Sequence, residues 1–125
     1  MTAMDNPIVH FEILGRDGPA LAAFYRDLFG WALRDVPLPG YDAYAFLPAP
    51  DRGIGGGVGQ LEAVGPGFVT IYVEVTDPQS VLDRAVQSGA KVVLPVTELP
   101  GVGAIARFCD PQGNVVGLVR SAPQN

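Results

Sequence analysis

The stretch Phe68-Val69-Thr70-Ile71-Tyr72-Val73-Glu74-Val75, followed by Thr76-Asp77-Pro78, decides the fold. Ile71, Val73 and Val75 fall on one side of an extended chain, with Thr70, Tyr72 and Glu74 on the other. That is the two-residue period of a half-buried strand. Asp77 then supplies a side-chain acceptor for a helix start, and Pro78 the fixed φ that suits a first turn. Val81, Leu82, Ala85 and Val86 form an apolar stripe behind it, and Gly89 ends the helix.

The same order of signals stands sixty residues earlier, Ile13 matching Val73 and Asp17 matching Asp77. Ile8 to Leu14 alternates, with Phe11 and Ile13 apolar and His10 and Glu12 between them. Asp17 caps a helix with Pro19 close behind. Leu21, Phe24, Tyr25 and Leu28 recur at helical spacing, and Gly30 stops the chain. Short strands are expected at 31–36, 42–47 and 54–61, and again at 91–94, 102–109 and 114–119. Turn chemistry separates them, including Asp110-Pro111-Gln112-Gly113-Asn114 before the last. The run Gly53-Ile54-Gly55-Gly56-Gly57-Val58-Gly59 reads either as a loop or as a strand approached closely by another group. No Lys-Ser/Thr pair follows it, which excludes a phosphate loop.

Strand, helix and three strands thus occur twice: module one over about 8–61, module two over about 68–120, in a single domain of 1–125. Helices on one side of mixed sheets give an α+β class. Phe11, Ile13, Ile71 and Val73 should then lie under the helices, against Phe24 and Leu28 or Leu82 and Val86. His10, Glu12, Thr70, Tyr72 and Glu74 are left on the opposite face.

Composition narrows the partners. Hydrophobic residues make up 48% and charged residues 17%, too apolar for a disordered chain. The net charge of −5, with no Lys/Arg cluster, argues against nucleic acid. No apolar run approaches the roughly 20 residues that span a bilayer, so no membrane is expected. A lone Cys109 excludes an internal disulfide. Without a basic-then-apolar leader, a cytoplasmic location is expected.

The strand end His10-Phe11-Glu12-Ile13, the helix end Phe24-Tyr25 with Leu28-Phe29-Gly30-Trp31, and the turn Asp110-Pro111-Gln112-Gly113-Asn114 together resemble the vicinal oxygen chelate superfamily. This is the group of glyoxalases, bleomycin-resistance proteins and extradiol dioxygenases, and the likeness runs from about residue 8 to 120. It implies two βαβββ modules, their curled mixed sheets around a concave cleft with the helices on the outer face, and a homodimer. It also implies a divalent metal held by His, Gln or Glu from four strand positions. Those positions fall here on His10, Thr70, Gly117 and the run Gly55 to Gly59. A lone imidazole cannot hold a catalytic metal, which needs about three protein ligands, so no metal and no cofactor is expected.

Each candidate residue has two readings. His10, the only histidine, either binds ligand and moves protons or is held by packing. Glu12 and Glu74 line a pocket or sit on a solvated face; close together, they would be candidates with His10 for a general base. Tyr44, Phe46 and Tyr72 have the character of a ligand-pocket wall, or simply pack. Arg107 faces the ligand, where it would pair with a carboxylate, or the surface. Trp31 is core or pocket edge, and Cys109 an inert apolar residue. The ligand-binding set is therefore His10, Glu12, Tyr44, Phe46, Tyr72, Glu74 and Arg107. The function expected is metal-free binding, with or without conversion, of a small hydrophobic or aromatic molecule, as in resistance or metabolite-binding proteins. The alternatives are a metal-dependent lyase, isomerase or dioxygenase, or a metal-free catalyst using His10 with Glu12 or Glu74. A purely structural dimer has least support, because the non-core face is too polar and aromatic.

Overall fold

A computed structural model of the protein describes residues 5–62 and 66–122. They divide into two compact units, one of residues 10–70 and one of 5–9 with 71–122. The class is α+β, and the unit boundaries follow the two modules closely.

The first module runs β1 (Ile8–Leu14), α1 (Gly18–Phe29), β2 (Arg34–Asp35), β3 (Tyr41–Leu47) and β4 (Gly55–Leu61). Its strands lie in the order β2-β3-β4-β1, with β1 parallel to β4 and the other pairs antiparallel. The second runs β5 (Phe68–Glu74), α2 (Pro78–Gln87), β6 (Lys91–Leu99), β7 (Gly103–Cys109) and β8 (Val115–Ser121). Here β5 is parallel to β8, and β7 pairs antiparallel with both β8 and β6. The two modules have one topology, and the internal repeat is structural. Each crossover strand is reached through a helix, which a parallel pairing requires.

The helix starts match closely. Asp17 sits at φ −131°, ψ 88° and accepts from the Ala20 amide at 3.0 Å; Asp77 sits at φ −136°, ψ 87° and accepts from the Ser80 amide at 3.1 Å. Gly30 ends α1 at φ 68°, a left-handed conformation that only glycine takes readily. The second helix has Ser88 as its cap, and the expected Gly89 follows at φ 104°, closing the helix end. Asp110 folds the last turn by accepting from the Asn114 and Gln112 amides at 2.9 and 2.8 Å and from the Asn114 side chain at 3.0 Å. The bonds from Asn114, then those from Gln112 and Gly113, hold its carboxyl below the usual range.

Each helix covers one face of its own sheet. In the first module Ala22, Leu33, Ala45 and Val58 form the centre, with Ile13, Leu21, Tyr25, Trp31 and Leu47 packed around them. In the second, Val75, Leu82, Ala106 and Leu118 do so, with Val73, Val81, Val96 and Phe108. Three expectations need correction. The segment 31–36 is a strand only at Arg34–Asp35, since Trp31 and Leu33 turn into the core instead of pairing. Phe24, Leu28 and Val86 are not the helix residues that pack on the sheets: they are 56%, 57% and 45% exposed. In α1 it is Ala22, with Leu21 and Tyr25, that packs into the core instead. Phe11, Ile13, Ile71 and Val73 take the expected side but are half-buried, while Glu12, Thr70 and Tyr72 opposite are buried. Among the described residues, no helix is long and apolar enough to cross a membrane.

Candidate functional site

The glycine run is a strand, and its missing side chains shape the first module's helix-free face. Gly55 to Gly59 are all buried in β4. A Cβ on Gly57 would overlap the Tyr44 ring and its hydroxyl; one on Gly56 would overlap the Phe11 ring on the other side. Large aromatic rings on both neighbouring strands thus lie against bare backbone, the close approach for which a strand uses glycine.

Tyr44, seated on that backbone, shares a hydrogen bond of 2.9 Å with Nε2 of His10. The imidazole also stacks near Phe46, ring centres 6.2 Å apart and planes 18° apart. Burial lowers the His10 pKa from its ordinary 6.5, and the nearby Glu12 carboxylate only partly raises it again. The imidazole is therefore neutral at pH 7, able to accept or donate one proton at each nitrogen according to tautomer. Glu12 lies two residues along the same strand face and is 2% exposed. The Tyr41 hydroxyl donates to its Oε2 at 2.7 Å, a short bond to a charged acceptor.

Four expected residues, His10, Glu12, Tyr44 and Phe46, thus belong to one connected group. Tyr41 completes it and was not expected. The pairing of β3 with β4 slips between Tyr41 and Ala43, a bulge that brings Tyr41 edge-on to Tyr44 at 4.8 Å between ring centres. Strict alternation would have sent the two rings to opposite faces. Arg34, also unexpected, lies opposite Phe46 in the β2–β3 register, its guanidinium carbon 5.9 Å from the ring centre.

In the second module the helix-free face carries Tyr72, Arg107 and Glu74. Tyr72 occupies the space that a side chain on Gly117 would need. Arg107 is 4% exposed and donates from Nε to the Tyr72 hydroxyl at 2.8 Å, which removes the surface reading of this arginine. Glu74 is half-buried and accepts from the Ser121 hydroxyl at 2.8 Å. No signal in the sequence marked Ser121. Cys109 is a free thiol, partly buried.

The metal-ligand set implied by the resemblance does not fit these residues. One of its positions is Gly117, where a side chain would collide with the Tyr72 ring, and another falls in Gly55 to Gly59, where side chains on the glycines would collide with neighbouring backbone or with the rings of Phe11 and Tyr44. Among the described residues no three His, Cys, Asp or Glu side chains are placed to hold a metal ion.

Two βαβββ modules of this topology, with polar and aromatic groups on the face away from each helix, define a glyoxalase-type scaffold. The chain belongs to the Glyoxalase/Bleomycin resistance protein/Dioxygenase superfamily, whose family model matches residues 7–118. It is similar to a candidate glyoxylase, CFP32, of Mycobacterium tuberculosis: 29% identical over 109 residues, 82% of this chain and 41% of that protein. It is similar also to the anthracycline biosynthesis protein DnrV of Streptomyces peucetius, 26% identical over 124 residues, 88% of this chain and 45% of that one. The chain spans less than half the length of these curated relatives. Among solved structures, the methylmalonyl-CoA epimerase of Mycobacterium tuberculosis superposes with a TM-score of 0.69 at 18% identity, over 98% of this chain and 94% of that one. A methylmalonyl-CoA epimerase in complex with methylmalonyl-CoA and NH4+ gives 0.65 at 20%, over 94% and 95%. These likenesses establish the fold, which hosts many chemistries.

Proposed function

We propose that the protein binds a small hydrophobic or aromatic molecule without a bound metal, on the helix-free face of its first module. The observation that carries this reading is the aromatic group around one neutral imidazole: His10, Tyr44, Tyr41 and Phe46, with Glu12 held beneath them. Rings give a flat ligand its contact area, and a neutral imidazole with two phenols gives it orienting hydrogen bonds. A relative named as an anthracycline biosynthesis protein supports the same ligand class. Tyr72, Glu74 and Arg107 are proposed as ligand-contacting residues of the second module's helix-free face.

A thermal-shift screen of planar aromatic compounds tests the reading, because a ligand that binds only the folded state raises its melting temperature by mass action. Compounds that stabilise the parent protein should lose their effect in His10→Ala and Phe46→Ala. A screen with no binder, or binders indifferent to both substitutions, would overturn it. Metal analysis of the purified protein tests the other half: a stoichiometric transition metal whose removal lowers stability would restore the metal-enzyme reading.

A second reading is favoured by the His10–Glu12 pair. An unprotonated imidazole near a carboxylate can take a proton as a general base, so metal-free proton transfer is proposed for those binders that carry an acidic C–H. Deuterium exchange into such a ligand, lost in His10→Gln, is the measurement. A homodimer is proposed on the family resemblance, and sedimentation showing only monomer at micromolar concentration would remove it.

A further inference from the structure

The group around His10 uses only one face of the first module's sheet. On the helix side of that sheet a cavity of about 420 Å³ opens between α1 and the segment after β2. Ala45 and Val58, 2% and 1% exposed, lie at its base. Pro19 and Ala22 of α1 line one side, and Val36 and Pro37 the other. Ligand cavities commonly measure about 300–1,000 Å³, so this one has room for a single ring or a short branched chain. Its lining is apolar apart from Tyr44 of β3 and the pair Arg26 and Asp35.

The geometry of that pair specifies the ligand. The Arg26 guanidinium is fixed by backbone: Nε and Nη2 donate to the Leu33 carbonyl at 3.2 and 2.9 Å. Its contact with the Asp35 carboxylate is looser. The Nη2–Oδ1 distance is 3.3 Å, and the Asp35 side chain is 87% exposed. A well-made charge-assisted bond is shorter, roughly 2.7–2.9 Å. Nη1 makes no hydrogen bond to any described residue. The cation is thus positioned by a contact that a ligand would leave intact, its carboxylate partner is weakly held, and donors remain for another planar oxyanion.

We propose that this cavity binds a small apolar carboxylic acid, its ring or chain against Ala45 and Val58 and its carboxylate on Arg26 in place of Asp35. Its helix-side residues, Ala22, Ala45 and Val58, belong to the core under α1, and Tyr44 is the residue it shares with the group around His10.

Backbone-amide NMR titration of the intact chain with phenylacetate, and with phenylacetamide as its neutral counterpart, tests this. Phenylacetate should shift the amides of Ala22, Val36 and Ala45 saturably, with the amide binding about tenfold more weakly. Asp35→Asn removes the competing carboxylate, leaves the Arg26–Leu33 contact in place, and should tighten phenylacetate binding. Arg26→Gln should weaken it about tenfold, and Ala45→Leu should abolish it by filling the base. Absence of saturable shifts, equal affinity for acid and amide, or Asp35→Asn with unchanged affinity overturns the proposal. So do shifts confined to His10, Glu12 and Phe46, an outcome that would leave the reading of the opposite face standing.

Discussion

The Tyr44 hydroxyl stands 2.9 Å from Nε2 of His10, and this bond depends on a residue that touches neither atom as a partner: Gly57. Tyr44 is 6% exposed because its ring occupies the space a Gly57 side chain would fill. A residue in the middle of a strand has been emptied so that a neighbouring ring can orient a histidine.

Gly57→Ala should therefore displace Tyr44. Forcing a methyl group into a packed site costs about 1–3 kcal/mol, more than a strand-compatible residue would otherwise gain by replacing glycine. Denaturant unfolding measures the loss. In the same variant the His10 imidazole should titrate at higher pH than in the parent, read by NMR, because the ring that buries it has moved. Unchanged stability and an unchanged His10 titration would show that Tyr44 does not depend on Gly57.

The pH dependence of stability follows from His10. Burial holds its folded-state pKa below the ordinary 6.5, so the unfolded chain takes up the proton first as pH falls. Above 6.5 the imidazole is neutral in both states and its contribution is whole; below 6.5 stability declines until the folded imidazole is protonated as well. His10→Gln abolishes this component. Urea midpoints at about pH 7.5 and about pH 5.5 should fall further apart in the parent than in the variant. Equal separation in both proteins would remove His10 as the source.

Glu12 provides an independent test. Its carboxylate is out of solvent and accepts the Tyr41 hydroxyl at 2.7 Å. Tyr41→Phe leaves the ring and deletes the donor, and weakening the satisfaction of a buried charged acceptor costs about 1–3 kcal/mol. Glu12→Gln paired with Tyr41→Phe in a double-mutant cycle should show coupling of at least about 0.5 kcal/mol. Additive losses would mean that the short contact contributes nothing specific.

These residues also mark how far the sequence could be read. The alternation in Ile8–Leu14 and Phe68–Glu74, the paired Asp caps and the sixty-residue repeat led directly to the α+β modules. Alternation also places His10 with Glu12, and aromatic character alone points to Tyr44 and Phe46. Neither signal reaches Tyr41, because a bulge sets its facing without any signature in residue type. Alternation also misjudged burial. Apolar residues were assigned to the deepest layer, yet Glu12, Thr70 and Arg107 are 2%, 3% and 4% exposed. Polarity predicts exposure only when no partner is available, and Tyr41 and Tyr72 supply hydrogen bonds to Glu12 and Arg107. Those partners are distant in sequence.

The sharpest contrast between sequence and structure lies in two phenylalanines. Both Phe11 and Phe24 read as core, one from a strand and one from the apolar stripe of α1. Phe11 is half-buried, its ring 5.4 Å from the Trp31 ring and filling the space above Gly56. Phe24 is 56% exposed and stands T-shaped to Tyr25, ring centres 5.0 Å apart. A fully buried phenylalanine loses about 3–5 kcal/mol on truncation, so Phe11→Ala, with part of its ring already wet, should lose about 2–3 kcal/mol. Phe24→Ala should lose less than about 1 kcal/mol, as surface substitutions do. Urea unfolding of both variants at one protein concentration makes the comparison. A Phe24→Ala loss as large as that of Phe11→Ala would show that this side of α1 is covered in solution, and the loss should then shrink on dilution if the cover is a second copy of the chain.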